Sequence, residues 1–371
     1  MEIGVEGQSL TAEDQLFILM QAAAYLTARE LASPEARICY ERAESLCRLL
    51  NRPLLLCVAL IGQWRYSLHT DKLTATIRIA ERVQSLAQEQ NDAALLIEAY
   101  RALAITLYHS GDFEAAQQYA IRAVQVWRSG NVQSHMEGPQ TPVVVCLCYR
   151  SRCEWHFGEI ASCRETIAEA IRLAKELNDM NSLAIALAFA AGLARDEHNF
   201  VEMERLTSKM IELSTRHSFA FWLAIGTIDR GWARSASGDT AEGIAWIEQG
   251  IRDYRATGAV LNMPHFLRLK AEALHLADRT SEALESIDEA ERVVERSEER
   301  HGCAELHRLR GAFLATLGAD ETQIEASFQA AISTARQQKS ISLEKRAEAT
   351  YADYRRQKAS GSGGRGCRLP L

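Results

Sequence analysis

Proline and β-branched runs are scarce in this 371-residue chain, and both absences point towards helices. Only six prolines are present, and the nearest approach to a strand pattern is the short run PVVVCLCY from Pro142 to Tyr149. Alanine, leucine, glutamate and arginine are abundant, and these residues lose little side-chain freedom in a helix. With 47% hydrophobic and 25% charged residues, the composition is that of a folded protein. The sequence therefore predicts an all-α protein.

A long apolar segment, a leader and an excess of positive charge are also missing. The longest strongly apolar run, Leu54 to Gly62, is far too short to span a bilayer, and the N-terminus shows no basic stretch followed by an apolar one. The net charge of −7 argues against general nucleic-acid binding, which needs a concentrated basic surface. We therefore expect a cytoplasmic protein with no membrane contact and no direct nucleic-acid partner, whose nine cysteines are reduced thiols.

A short turn sequence recurs along the chain at a nearly fixed distance. The segment GDFEAA aligns with GEIASC, HNFVEM, GDTAEG and DRTSEA, whose third residues are Phe113, Ile160, Phe200, Thr240 and Thr280. With Leu73 placed before them, the steps between these positions are 40, 47, 40, 40 and 40 residues. A further unit in GADETQIEAS is about one residue out of phase. A period of this size is typical of arrays of helical hairpins.

Two columns of residues support this phase. A small residue lies nine positions before each turn position, where it would let paired helices approach closely. This small column comprises Ala104, Ser151, Ala191, Gly231, Ala271 and Gly311 or Ala312, with Trp64 as its exception. Eleven positions after the turn lies an apolar column, which comprises Val124, Ile171, Ile211, Ile251 and Ile332, with Glu291 as its exception. Each unit is thus predicted to contain helix A, a short turn, helix B and a connection.

Such a hairpin cannot bury its apolar face alone, so neighbouring hairpins must stack. The sequence predicts a tetratricopeptide-like superhelix of αα-hairpins, a right-handed solenoid with a period of about 40 residues. We expect this array to occupy residues 1–357, with its clearest units from about 54 to 340, and residues 358–371 to form a flexible tail. The alternative is a non-repeating helical bundle whose regular spacing is accidental, and the two columns disfavour it.

The turn GDFEAA, preceded by a small residue, resembles the tetratricopeptide repeat, whose usual period is about 34 residues. More specifically, the chain resembles the C-terminal repeat region of large bacterial signalling proteins. In those proteins a class III adenylate/guanylate cyclase-like or other output domain often precedes a predicted AAA/STAND-type ATPase and then the array. Segments carrying this resemblance include SPEARICYERAESLCRLL, FAFWLAIGTIDRGWARSASGDTAEGIAWIEQGIRDYRATGA and AELHRLRGAFLATLG. The resemblance implies a regulatory or docking array, while no stretch matches G-x-x-x-x-G-K-[ST] and no cyclase aspartate pair can be placed.

Residues capable of chemistry do not form a recognisable catalytic or metal pattern. The cysteine cluster CLCYRSRC, with Cys163 beyond it, lacks the paired C-x-x-C spacing of a zinc site, so we interpret these thiols as packing residues. The ten histidines are scattered, with His301 and His307 six apart, and neither H-E-x-x-H nor G-x-S-x-G occurs. We therefore predict no catalytic residue, no cofactor and no metal, and a protein that is not an enzyme.

Two sets of side chains are candidates for binding a partner. Basic residues recur immediately before the small column and two positions earlier, where they would form a strip for an acidic peptide or a carboxylate terminus. Their alternative is solvation, or pairing with carboxylates of helix B. The second set is an aromatic cluster, whose alternative role is packing between repeats. The candidates are Arg150, Arg230, Arg268, Lys270, Arg308, Arg310, Trp222 and Trp232.

The sequence thus favours a non-catalytic interaction or regulatory scaffold of a bacterial signalling protein, which binds a partner peptide or domain on a concave helical surface. By resemblance, the partner would be a cyclase, an ATPase or a transcriptional output domain. The alternatives are an array that senses a small ligand and a detached regulatory part of a cyclase or ATPase. We expect joint replacement of Arg268, Lys270, Arg308 and Arg310 to weaken partner capture without unfolding the array.

Overall fold

The structure is a computed structural model that describes residues 10–29, 32–70, 72–130 and 141–359. Within these ranges there are seventeen helices and no strand, which confirms the all-α prediction. The helices are α1 (Ala12–Arg29), α2 (Pro34–Leu49), α3 (Pro53–Thr70), α4 (Leu73–Glu89), α5 (Ala93–Ser110), α6 (Phe113–Arg128), α7 (Pro142–His156), α8 (Ile160–Glu176), α9 (Met180–Asp196), α10 (Phe200–Arg216), α11 (Ala220–Ala236), α12 (Thr240–Ala256), α13 (Met263–Leu276), α14 (Thr280–Ser297), α15 (Cys303–Leu317), α16 (Glu321–Gln337) and α17 (Ile341–Ala359).

Each B helix begins at the residue that the repeat pattern indicates. Helices α4, α6, α8, α10, α12 and α14 start at the six aligned turn positions, from Leu73 to Thr280. Helix α16 starts at Glu321, one residue beyond the 40-residue step, as the shifted unit predicts. The tetratricopeptide-like hairpin array is therefore confirmed, and the non-repeating bundle is wrong.

The turn between helices A and B is built from local backbone chemistry. In the hairpin of α5 and α6, Gly111 has a φ of +90°, a left-handed conformation that glycine adopts without strain. Asp112 then accepts a hydrogen bond from the backbone N–H of Ala115 at 3.0 Å and caps the first turn of α6. The sequence GD at this point therefore both ends one helix and begins the next.

Small side chains in the predicted column let the two helices of a hairpin pack closely. Ala104, Ala191 and Ala271 are fully buried. Where α11 meets α12, a Cβ placed on Gly231 would lie only 2.6 Å from the backbone oxygen of Gly243. A larger residue at this position would have to push the two helices apart.

Odd-numbered helices form an inner layer and even-numbered helices an outer one. Buried residues make up most of α7, whereas α8 buries a single stripe. The same contrast separates α5 from α6 and α9 from α10. An amphipathic outer helix thus covers an inner helix that is packed on most of its sides.

Successive turns of the superhelix touch one another. The carbonyl oxygen of His69 accepts a hydrogen bond from the N–H of Val260 at 3.3 Å, and that of His109 accepts one from Arg300 at 2.8 Å. The hydroxyl of Ser342 donates to the carbonyl of Trp155 at 2.5 Å. Each of these inter-turn contacts joins the end of a helix A to the segment that enters the fifth hairpin further along.

Several sequence predictions fall at the limits of the described residues. Helix α17 continues to Ala359, two residues into the segment predicted to be a tail, and residues 360–371 lie outside the described ranges. The 47-residue step contains the connection from the end of α6 to the start of α7, and residues 131–140 of this connection also lie outside the described ranges. No helix among the described residues combines the length and apolar character needed to cross a membrane.

Candidate functional site

The inner helices surround a cavity on the axis of the superhelix. Its volume is about 790 Å³, within the range of roughly 300–1,000 Å³ that is typical of ligand pockets. The lining extends from Met20 in α1 to Arg346 in α17, so nearly every hairpin contributes to it. We call the residues that line this space the cavity wall.

Arginines outnumber carboxylates on the cavity wall. The six arginines are Arg65, Arg101, Arg152, Arg195, Arg268 and Arg346, and the four acidic residues are Glu98, Asp196, Asp229 and Glu305. With all of them ionised, the wall carries two more positive than negative charges. Because a low-dielectric cavity concentrates the field of such an excess, this space favours an anionic occupant.

Asp196 is the centre of the ion pairs within the wall. Its Oδ2 lies 2.7 Å from Nη1 of Arg152, and its Oδ1 lies 3.7 Å from Nη2 of Arg346. Burial alone would raise the pKa of Asp196, but the guanidinium groups of Arg152, Arg195 and Arg346 outweigh burial and hold it well below its ordinary value. Arg346 also pairs with Glu305 at 3.3 Å, so one side chain of α17 ties α9 to α15.

Arg65 differs from the other arginines of the wall in having no ion-pair partner among the residues that the structure describes. Among the described residues, none forms a hydrogen bond or ion pair with its guanidinium. The nearby Arg101 and Glu98 are paired with each other, at 2.6 Å. Burial lowers the pKa of Arg65, and the positive charge of Arg101 lowers it further. An anion beside Arg65 would oppose both effects.

Aromatic side chains provide the apolar part of the wall. Trp222 donates from Nε1 to Oδ1 of Asn181 at 2.8 Å, which fixes its indole, and Phe221 meets it edge to face at 4.8 Å between ring centroids. Trp155 lies under the guanidinium groups of Arg152 and Arg346, at 4.8 and 5.4 Å from its ring centroid. Charged and apolar surfaces therefore alternate around the same space.

Three histidines occupy equivalent positions in consecutive hairpins, which the sequence interpretation missed. His69, His109 and His156 each lie four residues before the first residue of the following B helix, and all three are buried. Burial lowers the pKa of His69 and of His109 to about 3, and that of His156 well below its ordinary value. These imidazoles are therefore neutral at pH values near 7.

His109 meets two side chains from the next turn of the superhelix. Its Nδ1 lies 3.1 Å from Oε1 of Glu299, and Nδ1 of His301 lies 3.4 Å from the same oxygen. Each of these three residues has a ligand atom within 4.8 Å of those of the other two, as a metal site requires. We call His109, Glu299 and His301 the inter-turn triad. The hydroxyl of Tyr149 lies 3.1 Å from Nε2 of His109.

Two of the eight predicted partner-binding residues, Arg268 and Trp222, line the cavity. Arg268 forms an ion pair with Glu272. Trp232, which lies outside the cavity wall, donates a hydrogen bond from Nε1 to the same carboxylate at 2.6 Å. The other predicted residues also lie outside the wall. Their part in partner binding stays a prediction.

Most of the basic residues next to the small column pair with acidic side chains of an outer helix. This is the alternative given in the sequence analysis, in which these residues pair with carboxylates of helix B. Arg150 is the exception, because it pairs with a glutamate of its own helix. The ion pairs are Arg150–Glu154, Arg230–Glu204, Lys270–Glu248 and Arg310–Glu291, with N···O distances of 2.8, 3.2, 2.9 and 2.6 Å.

Arg308 changes the expected outcome of the fourfold replacement. It is only 1% exposed and pairs with Glu305 at 2.8 Å. Breaking a buried ion pair costs up to about 3–5 kcal/mol, and without Arg308 the buried Glu305 would keep only Arg346 as an arginine partner. Joint replacement of Arg268, Lys270, Arg308 and Arg310 should therefore destabilise the array, contrary to the expectation from the sequence.

The cysteine cluster is part of the core. Cys146, Cys148, Cys153 and Cys163 are buried, and none of the described cysteines forms a disulfide. Burial raises the pKa of Cys146 to about 12 and that of Cys163 to about 11. Protonated, buried thiols pack as small apolar groups, which agrees with the packing interpretation.

Sequence reasoning missed most of the cavity wall, although two signals were present. Arg65 and Arg152 both lie eight residues before the start of a B helix, so they occupy one register position. The three equivalent histidines recur at steps of 40 and 47 residues, which are the steps of the repeat itself. Alignment of all polar residues by their position in the repeat reveals both the arginines and the histidines.

Comparison of the sequence with known proteins gives two partial matches. Residues 143–197 match the family described as anaphase-promoting complex subunit 5, ANAPC5. A 193-residue stretch, 52% of this chain, is 25% identical to the uncharacterized protein R02095 of Rhizobium meliloti (strain 1021). The chain spans about a fifth of that relative, since the match covers 19% of its length.

Solved structures share the fold over nearly the whole chain. The Rap protein complexed with Competence and Sporulation Factor aligns with a TM-score of 0.62 and 12% identity, over 95% of this chain and 94% of its own. NprR with its cognate peptide NprX aligns with a TM-score of 0.54 and 10% identity, over 92% and 98%. Human IFIT1 with m7Gppp-AAAA aligns with a TM-score of 0.55 and 13% identity, over 95% and 75%. The chain is thus a tetratricopeptide-like helical repeat protein.

Proposed function

We propose that the chain is a non-catalytic regulatory array that holds an acidic peptide segment of a partner in its central cavity. The observation that carries the proposal is the cavity wall, where six arginines face four carboxylates and Arg65 has no partner among the described residues. Guanidinium groups bind carboxylates through paired, charge-assisted hydrogen bonds. The aromatic surface around Trp222 would take the apolar side chains of the same segment.

Solved structures of the same fold support this choice of occupant, because one of them holds a peptide. NprR was solved with its cognate peptide NprX and Rap with Competence and Sporulation Factor. Human IFIT1 was solved with m7Gppp-AAAA, an anionic ligand of another class. The wall of this cavity has an excess of only two positive charges, and the whole chain has a net charge of −7. This balance favours a short acidic peptide over a nucleic acid.

Within this proposal the array acts in the bacterial cytoplasm as a regulatory part of a signalling system. Its partner is a cyclase, an ATPase or a transcriptional output domain. The resemblance of the repeat segments to such signalling proteins supports this setting. The relative R02095 comes from a bacterium, and the matched region is 19% of its length, so in that protein the region belongs to a much longer chain.

A binding experiment with charge-matched variants tests the proposal. Fluorescently labelled hexapeptide pools that contain two aspartates and a free carboxyl terminus are compared with amide-capped neutral pools of the same length. We expect the acidic pool to bind and Arg65→Gln to weaken its binding at least tenfold, because one charge-assisted contact is worth about 1.5–3 kcal/mol. The control Arg172→Gln, which removes an exposed guanidinium outside the cavity wall, should bind as the unmodified chain does.

The stability of Arg65→Gln is a second readout in the same experiment. Because no residue in the described part of the chain forms an ion pair with Arg65, this variant should melt at or above the temperature of the unmodified chain in the absence of peptide. A charged group that is kept unpaired for binding commonly lowers the stability of the folded protein. Equal binding of acidic and neutral pools, or unchanged binding by Arg65→Gln, would contradict the proposal.

A small anionic ligand is the second candidate, and the cavity volume of about 790 Å³ favours it. A thermal-shift screen of small carboxylates and phosphates, with no peptide present, separates the two candidates. Stabilisation by these molecules and not by the acidic hexapeptides would assign the cavity to a metabolite.

A further inference from the structure

We propose that the inter-turn triad, His109, Glu299 and His301, binds a divalent transition-metal ion, with Zn²⁺ as the best match to its ligand set. Two imidazoles and one carboxylate form one of the ligand sets that zinc uses when a coordination position remains open. His109 and His301 also belong to the cavity wall, but metal binding is measured without peptide, so its outcome does not depend on the peptide proposal.

The spacing of the triad agrees with tetrahedral coordination. For metal–ligand bonds of about 2.0–2.1 Å, the ligand atoms of tetrahedral zinc lie roughly 3.3–3.4 Å apart. Oε1 of Glu299 lies 3.1 Å from Nδ1 of His109 and 3.4 Å from Nδ1 of His301. The ligand atoms of the two histidines lie within 4.8 Å of each other, so side-chain rotations that close this third distance would complete the site.

Backbone hydrogen bonds hold the triad in place across the two superhelical turns. His109 ends helix α5, whereas Glu299 and His301 lie in the connection between α14 and α15. The N–H groups of Arg300 and His301 both donate to the carbonyl oxygen of His109, at 2.8 and 3.2 Å. The ligands are thus fixed by main-chain contacts that do not require a metal.

The surroundings of His109 fit a ligand that binds through Nδ1. When a metal binds Nδ1, the imidazole proton must be on Nε2. The N–H at Nε2 can then donate a hydrogen bond to the hydroxyl oxygen of Tyr149, which lies 3.1 Å away. Metal-binding histidines usually donate their second ring nitrogen in this manner, which sets the tautomer and the ring orientation.

Two unsatisfied features of the triad point to a missing cation. Glu299 is 1% exposed, and no lysine or arginine among the described residues pairs with it. Its carboxylate oxygens accept hydrogen bonds from the N–H of Asn262 at 3.0 Å, and this neutral donor supplies no balancing positive charge. Nδ1 of His301 is buried and, despite its nearness to Glu299, forms no hydrogen bond. A buried carboxylate and a bare imidazole nitrogen both gain from a shared cation.

Metal binding by the purified full-length chain is the primary test. After removal of bound metal by a chelator and desalting, Zn²⁺ content is measured by mass spectrometry and Co²⁺ coordination by absorption spectroscopy. We expect one tightly bound ion per chain, a Co²⁺ spectrum of nitrogen and oxygen ligands, and a higher melting temperature with Zn²⁺, because the ion binds only the folded state. No bound ion, or a thiolate-to-metal charge-transfer band that reports cysteine ligands, would overturn the proposal.

Matched histidine variants locate the site. His301→Gln should weaken Zn²⁺ binding at least 100-fold and abolish the rise in melting temperature, whereas His307→Gln, six residues along the same segment, should retain both. His301→Gln loses no hydrogen bond at Nδ1, so its metal-free melting temperature should stay close to that of the metal-free unmodified chain. Glu299→Gln should lose Zn²⁺ binding to the same extent. If Glu299→Gln does not fold because its side chain is buried, His301→Gln alone tests the location of the site. Undiminished binding by folded His301→Gln would refute the assignment.

Discussion

Replacement of Gly231 by alanine tests how closely the helices of one hairpin are packed. A Cβ on Gly231 would lie 2.6 Å from the backbone oxygen of Gly243 and 2.9 Å from the backbone nitrogen of Ile247. Backbone atoms of the facing helix cannot turn aside as the end of a side chain can, so α11 and α12 must separate. Overpacking of this kind costs about 1–3 kcal/mol.

Gly192 provides a matched control in the inner helix of the preceding hairpin. A Cβ there would meet only Nη2 of Arg195, at 3.7 Å, which is ordinary contact. Gly192→Ala should therefore gain the usual helix propensity of alanine over glycine, roughly 0.5–1 kcal/mol. Because both variants receive this gain, the difference between them isolates the steric cost, about 1–3 kcal/mol in favour of Gly192→Ala.

Urea unfolding followed by far-ultraviolet circular dichroism measures this difference. We expect the unfolding midpoint of Gly231→Ala to lie below that of the unmodified chain and the midpoint of Gly192→Ala to lie at or above it. Gly231→Ala should remain helical at low urea, because the strain is confined to one hairpin. If Gly231→Ala is as stable as Gly192→Ala, the packing derived for α11 and α12 is wrong.

Two further changes have outcomes that follow from the structure. Lowering the pH from about 7 to about 5 should lower the melting temperature, because burial depresses the folded-state pKa of His69 to about 3 from its ordinary 6.5 and unfolding therefore takes up a proton. The variant His69→Gln should show a weaker pH dependence. A melting temperature that rises in acid would contradict this reasoning. Arg346→Met should lower the free energy of unfolding by about 2–3 kcal/mol. This loss is smaller than for an isolated buried ion pair, because Asp196 and Glu305 keep other arginine partners. The exposed control Arg356→Met should lose only about 0–1 kcal/mol, and equal losses in thermal unfolding would refute the role of Arg346.

The boundaries of the hairpins could be predicted from the sequence because local chemistry determines them. A left-handed residue, a capping side chain and a small residue at a fixed distance all lie within a few turns of the same helix. Ile160 and Thr240, for example, are the first residues of α8 and α12, as the repeat indicates. These signals need no knowledge of how distant hairpins pack.

The cavity could not be predicted because it depends on the curvature of the whole array. Curvature is the sum of small rotations between hairpins, and a period of 40 residues does not specify them. Glu299 and His109 are 190 positions apart, and only the winding of the superhelix brings them together. The sequence suggested an exposed concave strip, whereas the inter-turn contacts convert the concave side into an interior space.

The inter-turn contacts also restrict how this chain can change its length during evolution. In a simple solenoid each repeat touches only its neighbours, so a whole repeat can be duplicated or deleted with local consequences. Here His69, His109 and Trp155 each touch the segment entering the fifth hairpin further along. Gain or loss of one hairpin between them would put every one of these residues opposite the wrong segment. Descendants of this array should therefore vary in loops and tails while keeping the number of hairpins per winding constant.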